Sequence, residues 1–231
     1  MDIVGSRLSR EEFESYVNRK FFGYLPADKL VLHHTWKPTV NEWKGYQTLM
    51  GIKKYYEGLK WWDSTKGIWQ VGWTDGPHII IAPDGIWLFT DMRKNGIHAG
   101  SLNYRSIGIE VVGNYDNKTW EGEIYKNAIW AITTLKKKLA IDNEKIYFHR
   151  DVSNKTCPGS AITKKWLFDE LDNFKEFGFM ELNYNEEREI AYLWLKEMAN
   201  VTKTPIGKNL ANLDVGWLSV VLKRLFDKKG L

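Results

Sequence analysis

Residues 78–90 of the chain, H-I-I-I-A-P-D-G-I-W-L-F-T, contain its clearest structural pattern. Two apolar runs, 78–82 and 86–90, flank the tripeptide Pro83-Asp84-Gly85. Proline, aspartate and glycine between two such runs are typical of a tight turn that joins two strands. The sequence therefore predicts a β-hairpin here, and with it an antiparallel pair of strands.

Further strands and helices interleave on both sides of this hairpin without a strict strand–helix–strand order. Apolar runs predict strands at residues 29–35, 107–112 and 145–149. A capping box formed by Ser9 and Glu12 predicts a short first helix. Helical spacing of apolar residues predicts three more helices, at 41–62, 121–140 and 160–177. The expected fold is mixed α/β, with a central mixed β-sheet flanked by helices.

The composition is that of an ordinary globular protein with 231 residues, a net charge of +4 and a single cysteine. A single cysteine excludes an intrachain disulfide, so its thiol is free for metal binding or for packing. No apolar signal segment follows Met1, and we expect synthesis in the cytoplasm without a Sec signal. No basic cluster with interleaved aromatic residues is present, so nucleic acid is not an expected partner.

The character of the chain changes after Gly178. We expect one large domain at residues 1–178, with its core at 28–175, and a small helical C-terminal segment at 180–231. The stretch 215–229 is basic and amphipathic, so it could contact an anionic cell envelope. The alternative is a terminal helix that only docks on the large domain.

Residues 149–159, H-R-D-V-S-N-K-T-C-P-G, are the chemically richest stretch. They hold the only cysteine, with a histidine eight positions before it and a lysine two positions before it. A thiolate and an imidazole bind metal, and an ammonium group can stabilise the charge that develops when a carbonyl is attacked. Packing is the alternative, since a lone cysteine is usually a small buried apolar residue.

Two of the predicted strands carry further reactive side chains. His33 and His34 follow each other on the strand 29–35, so they point to opposite faces and at most one of them reaches a shared site. Glu110 interrupts the apolar strand I-G-I-E-V-V, where an ionised carboxylate is costly unless it is paired or close to a metal. Exposure at a sheet edge would remove that cost and remains the alternative for Glu110.

Four motifs occur in order along the chain: L-V-L-H-H-T, H-I-I-I-A-P-D-G, H-A-G-S-L-N-Y-R-S-I-G-I-E-V-V-G and H-R-D-V-S-N-K-T-C-P-G. Together they resemble the zinc-dependent N-acetylmuramoyl-L-alanine amidases of type 2. That superfamily includes phage lysis amidases, muropeptide-recycling amidases and animal peptidoglycan recognition proteins. The resemblance covers roughly residues 28–175 and implies the fold of that superfamily.

The resemblance implies a catalytic centre with one zinc ion. It makes His33, rather than His34, the first zinc ligand and adds His149 and Cys157 as the other two. Two imidazoles and a thiolate leave the fourth tetrahedral position open for water, which is the mark of a catalytic zinc site. Lys155 matches the family lysine, whose implied role is to stabilise the oxyanion of the tetrahedral intermediate.

The same resemblance assigns the proton-transfer role to Glu110. Phage-type relatives often carry a catalytic tyrosine in a G-Y-H-F segment, but this chain has Pro77 at that position, and proline is neither an acid nor a base. The recycling branch uses a glutamate in S-I-G-I-E, which matches Glu110. Three residues of one loop are expected to bind substrate, with plain loop structure as the alternative: His98, Asn103 and Arg105.

The resemblance implies hydrolysis of the amide between N-acetylmuramic acid and L-alanine in bacterial peptidoglycan. We expect a monomeric lysis enzyme, or endolysin, that acts on the host cell wall after its release. A cytosolic recycling amidase and a non-catalytic peptidoglycan-binding module are the alternatives. The presence of Cys157, Lys155 and Glu110 favours an enzyme over a binding module.

Overall fold

The structure, a computed structural model, describes residues 1–178. The predicted segment 180–231, with its proposed envelope contact, lies outside the described residues. The helices are α1 (Arg10–Arg19), α2 (Tyr46–Gly58), α3 (Gly122–Leu139) and α4 (Lys164–Gly178). The strands are β1 (Arg7–Leu8), β2 (Lys29–His34), β3 (Lys60–Asp63), β4 (Ile68–Val71), β5 (Ile79–Ala82), β6 (Gly85–Leu88), β7 (Ser106–Val111) and β8 (Ile146–Phe148).

Six of these strands form one mixed sheet in the order β1-β6-β5-β7-β2-β8. The predicted hairpin is confirmed, since β5 and β6 pair antiparallel and close at Ala82 opposite Gly85. The strand β7 runs parallel to both β5 and β2, and β2 runs parallel to β8. The predicted mixed α/β class is therefore confirmed.

The second predicted helix is wrong in length. Helix α2 covers Tyr46–Gly58 instead of 41–62, and the chain then enters a separate antiparallel pair formed by β3 and β4. Trp62 pairs with Trp69 across this small sheet, and their rings meet edge to face at 5.7 Å. Aromatic residues favour strands, and cross-strand aromatic pairs stabilise them. The helical spacing of apolar residues that supports the predicted helix ends at Tyr56, so the prediction was carried too far along the chain.

Side-chain caps determine where helices α1 and α4 begin. Ser9 Oγ accepts a hydrogen bond from Glu12 N at 3.2 Å and Ser9 N donates to Glu12 Oε2 at 2.8 Å, which confirms the predicted capping box. Helix α4 begins at Lys164, later than predicted, because Thr163 Oγ1 accepts from Trp166 N at 3.1 Å and so caps the helix there. Such a cap contributes about 1 kcal/mol.

The central strands of the sheet are part of the hydrophobic core. Strand β5 and strand β7 are buried along their whole lengths. Helix α3 packs against α1 and contacts β5 and β6 through an apolar face that includes Ile129, Ile132 and Leu135. Among the described residues, no helix is both long and apolar enough to cross a membrane.

The parallel strands bring reactive residues to one edge of the sheet. His33 pairs with Glu110 in the register of β2 and β7, and His149 follows directly after β8. In-register residues of parallel strands project from the same face, so His33 and Glu110 share a face. Clefts at the carboxyl ends of parallel strands are the usual ligand sites of open α/β sheets.

Candidate metal and catalytic site

Three possible ligand atoms converge at this edge of the sheet. The ligand atoms of His33, His149 and Cys157 all lie within 4.8 Å of one another. His33 Nδ1 lies 3.2 Å from His149 Nδ1 and 3.7 Å from Cys157 Sγ. Among the described residues, these three side chains form one cluster that could hold a metal ion.

The spacing of these atoms fits a tetrahedral zinc ion. With the usual Zn–N and Zn–S bond lengths, tetrahedral geometry requires an N···N separation of about 3.3 Å and an N···S separation of about 3.6 Å. The observed separations, 3.2 and 3.7 Å, agree with both. Two imidazole nitrogens and a sulfur are also a donor set that suits zinc.

The two histidines are in the neutral form that metal binding requires. Burial, with the nearby His98 and His149, holds the pKa of His33 well below its ordinary value. Burial and the charge of Lys155 likewise lower the pKa of His149. Because a neutral imidazole keeps a lone pair on its unprotonated nitrogen, both rings can act as ligands at neutral pH.

The thiol of Cys157 lies in a different environment. Burial, and then the charge of Glu110, raise the pKa of this thiol to about 12. The backbone N–H of His34 points at the sulfur, at 3.3 Å, and a hydrogen bond of this kind stabilises a thiolate. A bound cation would complete the deprotonation, since a coordinating thiol loses its proton.

Arg150, which the sequence reasoning did not single out, holds the loop that carries Cys157. Its backbone N–H donates to the carbonyl of Cys157 at 2.9 Å. Its guanidinium donates to the carbonyls of Thr156, Gly159 and Ile162 at 3.2, 2.8 and 2.6 Å. The planar donor fork of arginine can serve several carbonyls at once, so this side chain acts as a clamp.

Gly159 allows the same loop to approach the segment that follows β7. Its φ is +117°, and a Cβ there would lie 2.4 Å from the backbone of Tyr115. A side chain at this position would therefore push away the loop that places Cys157. This close approach is the physical reason for glycine after Cys157-Pro158.

Glu110 lies buried beside the ligand cluster. Burial raises the pKa of its carboxyl to about 7, although the Tyr56 hydroxyl and the charge of Lys155 act in the opposite direction. A carboxyl group with a pKa near neutrality can both accept and return a proton. Burial excludes the alternative of an exposed edge position for Glu110.

Lys155 faces the cluster from the surface loop. Its side chain is exposed, and its positive charge lowers the pKa of His33, His149, Glu110 and Cys157. The lysine therefore supplies a cation beside the site without being buried in it. Such a charge can stabilise an oxyanion next to the metal position.

His98 lies behind His33. The Nδ1 atom of His98 is 3.0 Å from His33 Nε2, and its Nε2 atom is 3.1 Å from Ser106 Oγ, which donates in turn to the Asn103 carbonyl at 3.1 Å. If His33 binds metal through Nδ1, its Nε2 carries a proton and donates to His98, and His98 donates to Ser106. Both ring nitrogens of His98 are thus engaged by protein atoms.

The other two predicted substrate contacts hold their own loop. Asn103 Oδ1 accepts from the backbone N–H groups of His98 and Ala99 at 3.0 and 2.7 Å. Arg105 donates to the Pro26 carbonyl at 3.0 Å and forms an ion pair with Asp28. The structure accounts for these contacts as loop structure, and substrate binding by these residues stays a prediction.

The two remaining histidines, His34 and His78, have structural partners. His34 lies on the face opposite to His33, and its Nδ1 accepts from Tyr115 N at 3.3 Å. His78 accepts from Gly108 N at 2.8 Å through Nδ1, and its Nε2 lies 3.0 Å from the Lys94 carbonyl. Neither ring contributes to the ligand cluster.

This fold and this site define a hydrolase class, and sequence comparison gives the family. The model of the N-acetylmuramoyl-L-alanine amidase family Amidase_2 matches residues 23–160, more than half of the chain. The chain belongs to this family of peptidoglycan amidases.

Individual relatives come from phages and insects. The chain is 31% identical to the endolysin of Enterobacteria phage T3 over 107 residues, which cover 44% of this chain and 71% of that protein. It is 32% identical to peptidoglycan-recognition protein SC1a of Drosophila melanogaster over 96 residues, covering 40% of this chain and 52% of that one. The match thus spans about half the length of the insect relative.

A solved structure supports the fold. A Drosophila peptidoglycan recognition protein LB mutant in complex with tracheal cytotoxin superposes with a TM-score of 0.50 at 22% identity. The superposition covers 68% of this chain and 90% of that chain. At this identity the likeness concerns the fold alone.

Proposed function

We propose that this protein is a zinc-dependent N-acetylmuramoyl-L-alanine amidase that cleaves bacterial peptidoglycan as a lytic endolysin. The observation that carries the proposal is the convergence of His33, His149 and Cys157 at zinc-ligand spacing beside the buried Glu110. A metal position next to a buried carboxyl group is the arrangement that hydrolysis of an unactivated amide requires.

The proposed chemistry divides between the metal and three parts of the chain. Zinc held by His33, His149 and Cys157 would supply Lewis acidity at the scissile carbonyl and would activate water. Glu110 accepts a proton from the attacking water and then returns it to the departing amine of L-alanine. The ammonium group of Lys155 stabilises the negative charge on the carbonyl oxygen. Water adds to the carbonyl carbon, the C–N bond breaks, and the products are the lactyl carboxylate and a free amine.

The lytic role draws its support from the relatives. The T3 and T7 phage proteins that match over 107 residues are both endolysins. We therefore propose that the protein acts on the intact cell wall of a host after its release, rather than on soluble fragments. The peptidoglycan recognition proteins among the relatives make binding without cleavage the rival function.

The test is digestion of purified peptidoglycan by the full chain, followed by mass spectrometry and amino-terminal labelling. An amidase releases new alanine amino termini, a glycosidase would release new reducing ends, and a binding module would release neither. Metal analysis of the purified protein is expected to give one zinc per chain. Turbidity loss of whole walls, compared with turnover of a soluble muropeptide, separates the lytic role from recycling.

Glu110→Gln is the control that addresses the mechanism. Glutamine keeps the size of the side chain but cannot accept a proton, so the variant is expected to bind zinc and to lose about 10²- to 10⁴-fold in kcat. A variant with substantial remaining turnover would show that Glu110 does not carry the proton.

A further inference from the structure

Trp36, the second residue after β2, has a backbone conformation that tryptophan rarely adopts. Its φ is +56°, and Lys37 N donates a hydrogen bond to the Thr35 carbonyl at 2.5 Å. A three-residue turn with this hydrogen bond and a positive φ at its central residue is the rare, strained form of the γ-turn. Strain of this kind in a bulky residue persists only where the surrounding structure enforces it.

Hydrogen bonds on both sides of the turn hold it in this conformation. Thr35 N donates to the Val111 carbonyl at 3.0 Å, and Trp36 N donates to the Gly113 carbonyl at 2.9 Å. The Thr35 hydroxyl accepts from Gly113 N at 2.8 Å and donates to the Pro38 carbonyl at 2.7 Å. The turn is thus fixed to the end of β7 and to the residues after it, at the edge of the sheet where the ligand cluster lies.

The turn itself does not require a tryptophan. Trp36 is 55% exposed, so burial in the core does not explain this residue type. A glycine at this position would form the same backbone hydrogen bonds without the steric cost of a positive φ. Strained residues cluster at ligand sites, where a fixed backbone presents a side chain in one place. The combination of strain, firm anchoring and exposure therefore indicates that the indole contacts a ligand.

The turn lies within reach of a substrate held at the ligand cluster. Trp36 follows His33 by three positions, so their Cα atoms lie at most about 11 Å apart. In the substrate of the proposed reaction, the lactyl group alone separates the sugar ring of N-acetylmuramic acid from the scissile carbonyl. Such a ring can pack its C–H groups on the apolar face of an indole while its hydroxyl groups remain in water. The stem peptide, on the other side of the amide, carries carboxylates, which need cationic partners.

We propose that the indole of Trp36 is the surface on which the N-acetylmuramic acid ring of the substrate stacks. The inference rests on the proposed function, because it assigns a sugar-binding residue for that substrate. Trp36 transfers no proton and binds no metal in this reaction. Its contribution is to affinity for the sugar, and a backbone already fixed before binding reduces the entropy that is lost when the ring is ordered.

The test measures the binding of two ligands by calorimetry in the full-length, zinc-loaded protein, with Glu110→Gln as the background so that turnover is slow. One ligand is an N-acetylmuramoyl peptide, and the other is the same peptide with a D-lactyl group in place of the sugar. Trp36→Ala is expected to weaken binding of the first about 10- to 30-fold and to change binding of the second less than twofold. Tyr24→Ala is the matched control, because Tyr24 is 99% exposed but precedes β2, and it should leave both affinities unchanged.

Trp36→Gly separates a ligand contact from a structural role. Both variants lack the indole, but only alanine keeps the strained backbone, so Trp36→Gly should melt about 2–4 °C above Trp36→Ala and bind equally weakly. Equal losses for the two ligands, unchanged binding of the muramoyl peptide, or a Tm of Trp36→Gly no higher than that of Trp36→Ala would overturn the inference. Sugar-dependent binding through Trp36 in a protein whose wild type releases no alanine amino termini would support the contact and contradict the amidase proposal alone.

Discussion

Gly108 provides a sensitive test of how His98 supports His33, a proposed zinc ligand. It lies on β7 at the level of His98, and a Cβ added there would lie 2.7 Å from His98 Cδ2 and 2.8 Å from its Cγ and Nε2 atoms. Strand β7 is paired on both sides, by β5 and β2, so the backbone cannot yield easily. In Gly108→Ala the His98 ring therefore has to move.

The displacement has two expected costs. Overpacking of a buried region destabilises a protein by about 1–3 kcal/mol. Movement of His98 also breaks its 3.0 Å hydrogen bond to His33, the outer partner of a proposed zinc ligand. Loss of such a partner typically weakens metal binding about 10- to 100-fold. Gly108→Ala should thus be less stable as the apoprotein and weaker in zinc binding.

Urea unfolding of the apoproteins and competition for zinc with a chromophoric chelator measure the two effects separately. Gly51→Ala is the matched control, because the Cβ of an alanine at this position of α2 meets nothing within 4 Å. Ser106→Ala removes the 3.1 Å contact to His98 Nε2 without overpacking, so it should weaken zinc binding in the same direction. An alanine at position 108 that leaves both the unfolding free energy and the zinc affinity unchanged would refute this reasoning.

Two further predictions concern the titration of Glu110 and the loop that carries Cys157. Because burial raises the pKa of Glu110 from 4.5 to about 7, the folded apoprotein binds this proton more tightly than the unfolded chain does, and stability is lost as pH rises through that window. Relative to Glu110→Gln, the wild-type apoprotein should lose about 3 kcal/mol between pH 4 and pH 8, as measured by urea unfolding; a pH-independent difference would contradict the burial argument. Arg150→Ala removes the guanidinium contacts to three carbonyls of the Cys157 loop and should cost about 2–4 kcal/mol in unfolding free energy. Arg150→Lys keeps the charge but not the fork and should recover only part of that loss; full recovery would assign the effect to charge alone.

Local patterns of the chain predicted most of the sheet and its turns. The turn Pro83-Asp84-Gly85, the apolar run of β7 and the capping box at Ser9 are confirmed because each depends on residues that are close in sequence. The hairpin of β3 and β4 was not predicted, although its two strands are close in sequence. Three of the four residues of β3 are exposed, so this strand lacks the apolar alternation that marks a half-buried strand.

Local sequence patterns predict only part of the site. Alternation indicated that His33 and His34 face opposite ways, and the register of β2 with β7 places His33 on the side of Glu110. No pattern in the sequence predicts the clamp of Arg150 or the position of His98 behind His33. The contact of His98 with His33 joins segments 65 residues apart, and the clamp of Arg150 depends on the irregular path of the loop, which no periodic pattern describes.

The amino-acid sequence therefore establishes the mixed α/β class, the family and the types of side chain available for chemistry, since periodicity, turn residues and motif order are properties of the chain itself. The tertiary structure establishes that His33, His149 and Cys157 converge within 4.8 Å, that Glu110 is buried enough to titrate near neutrality, and which residues support them. Distances and desolvation arise only when distant segments pack together, and both are required before a thiol, two imidazoles and a carboxyl group become a site.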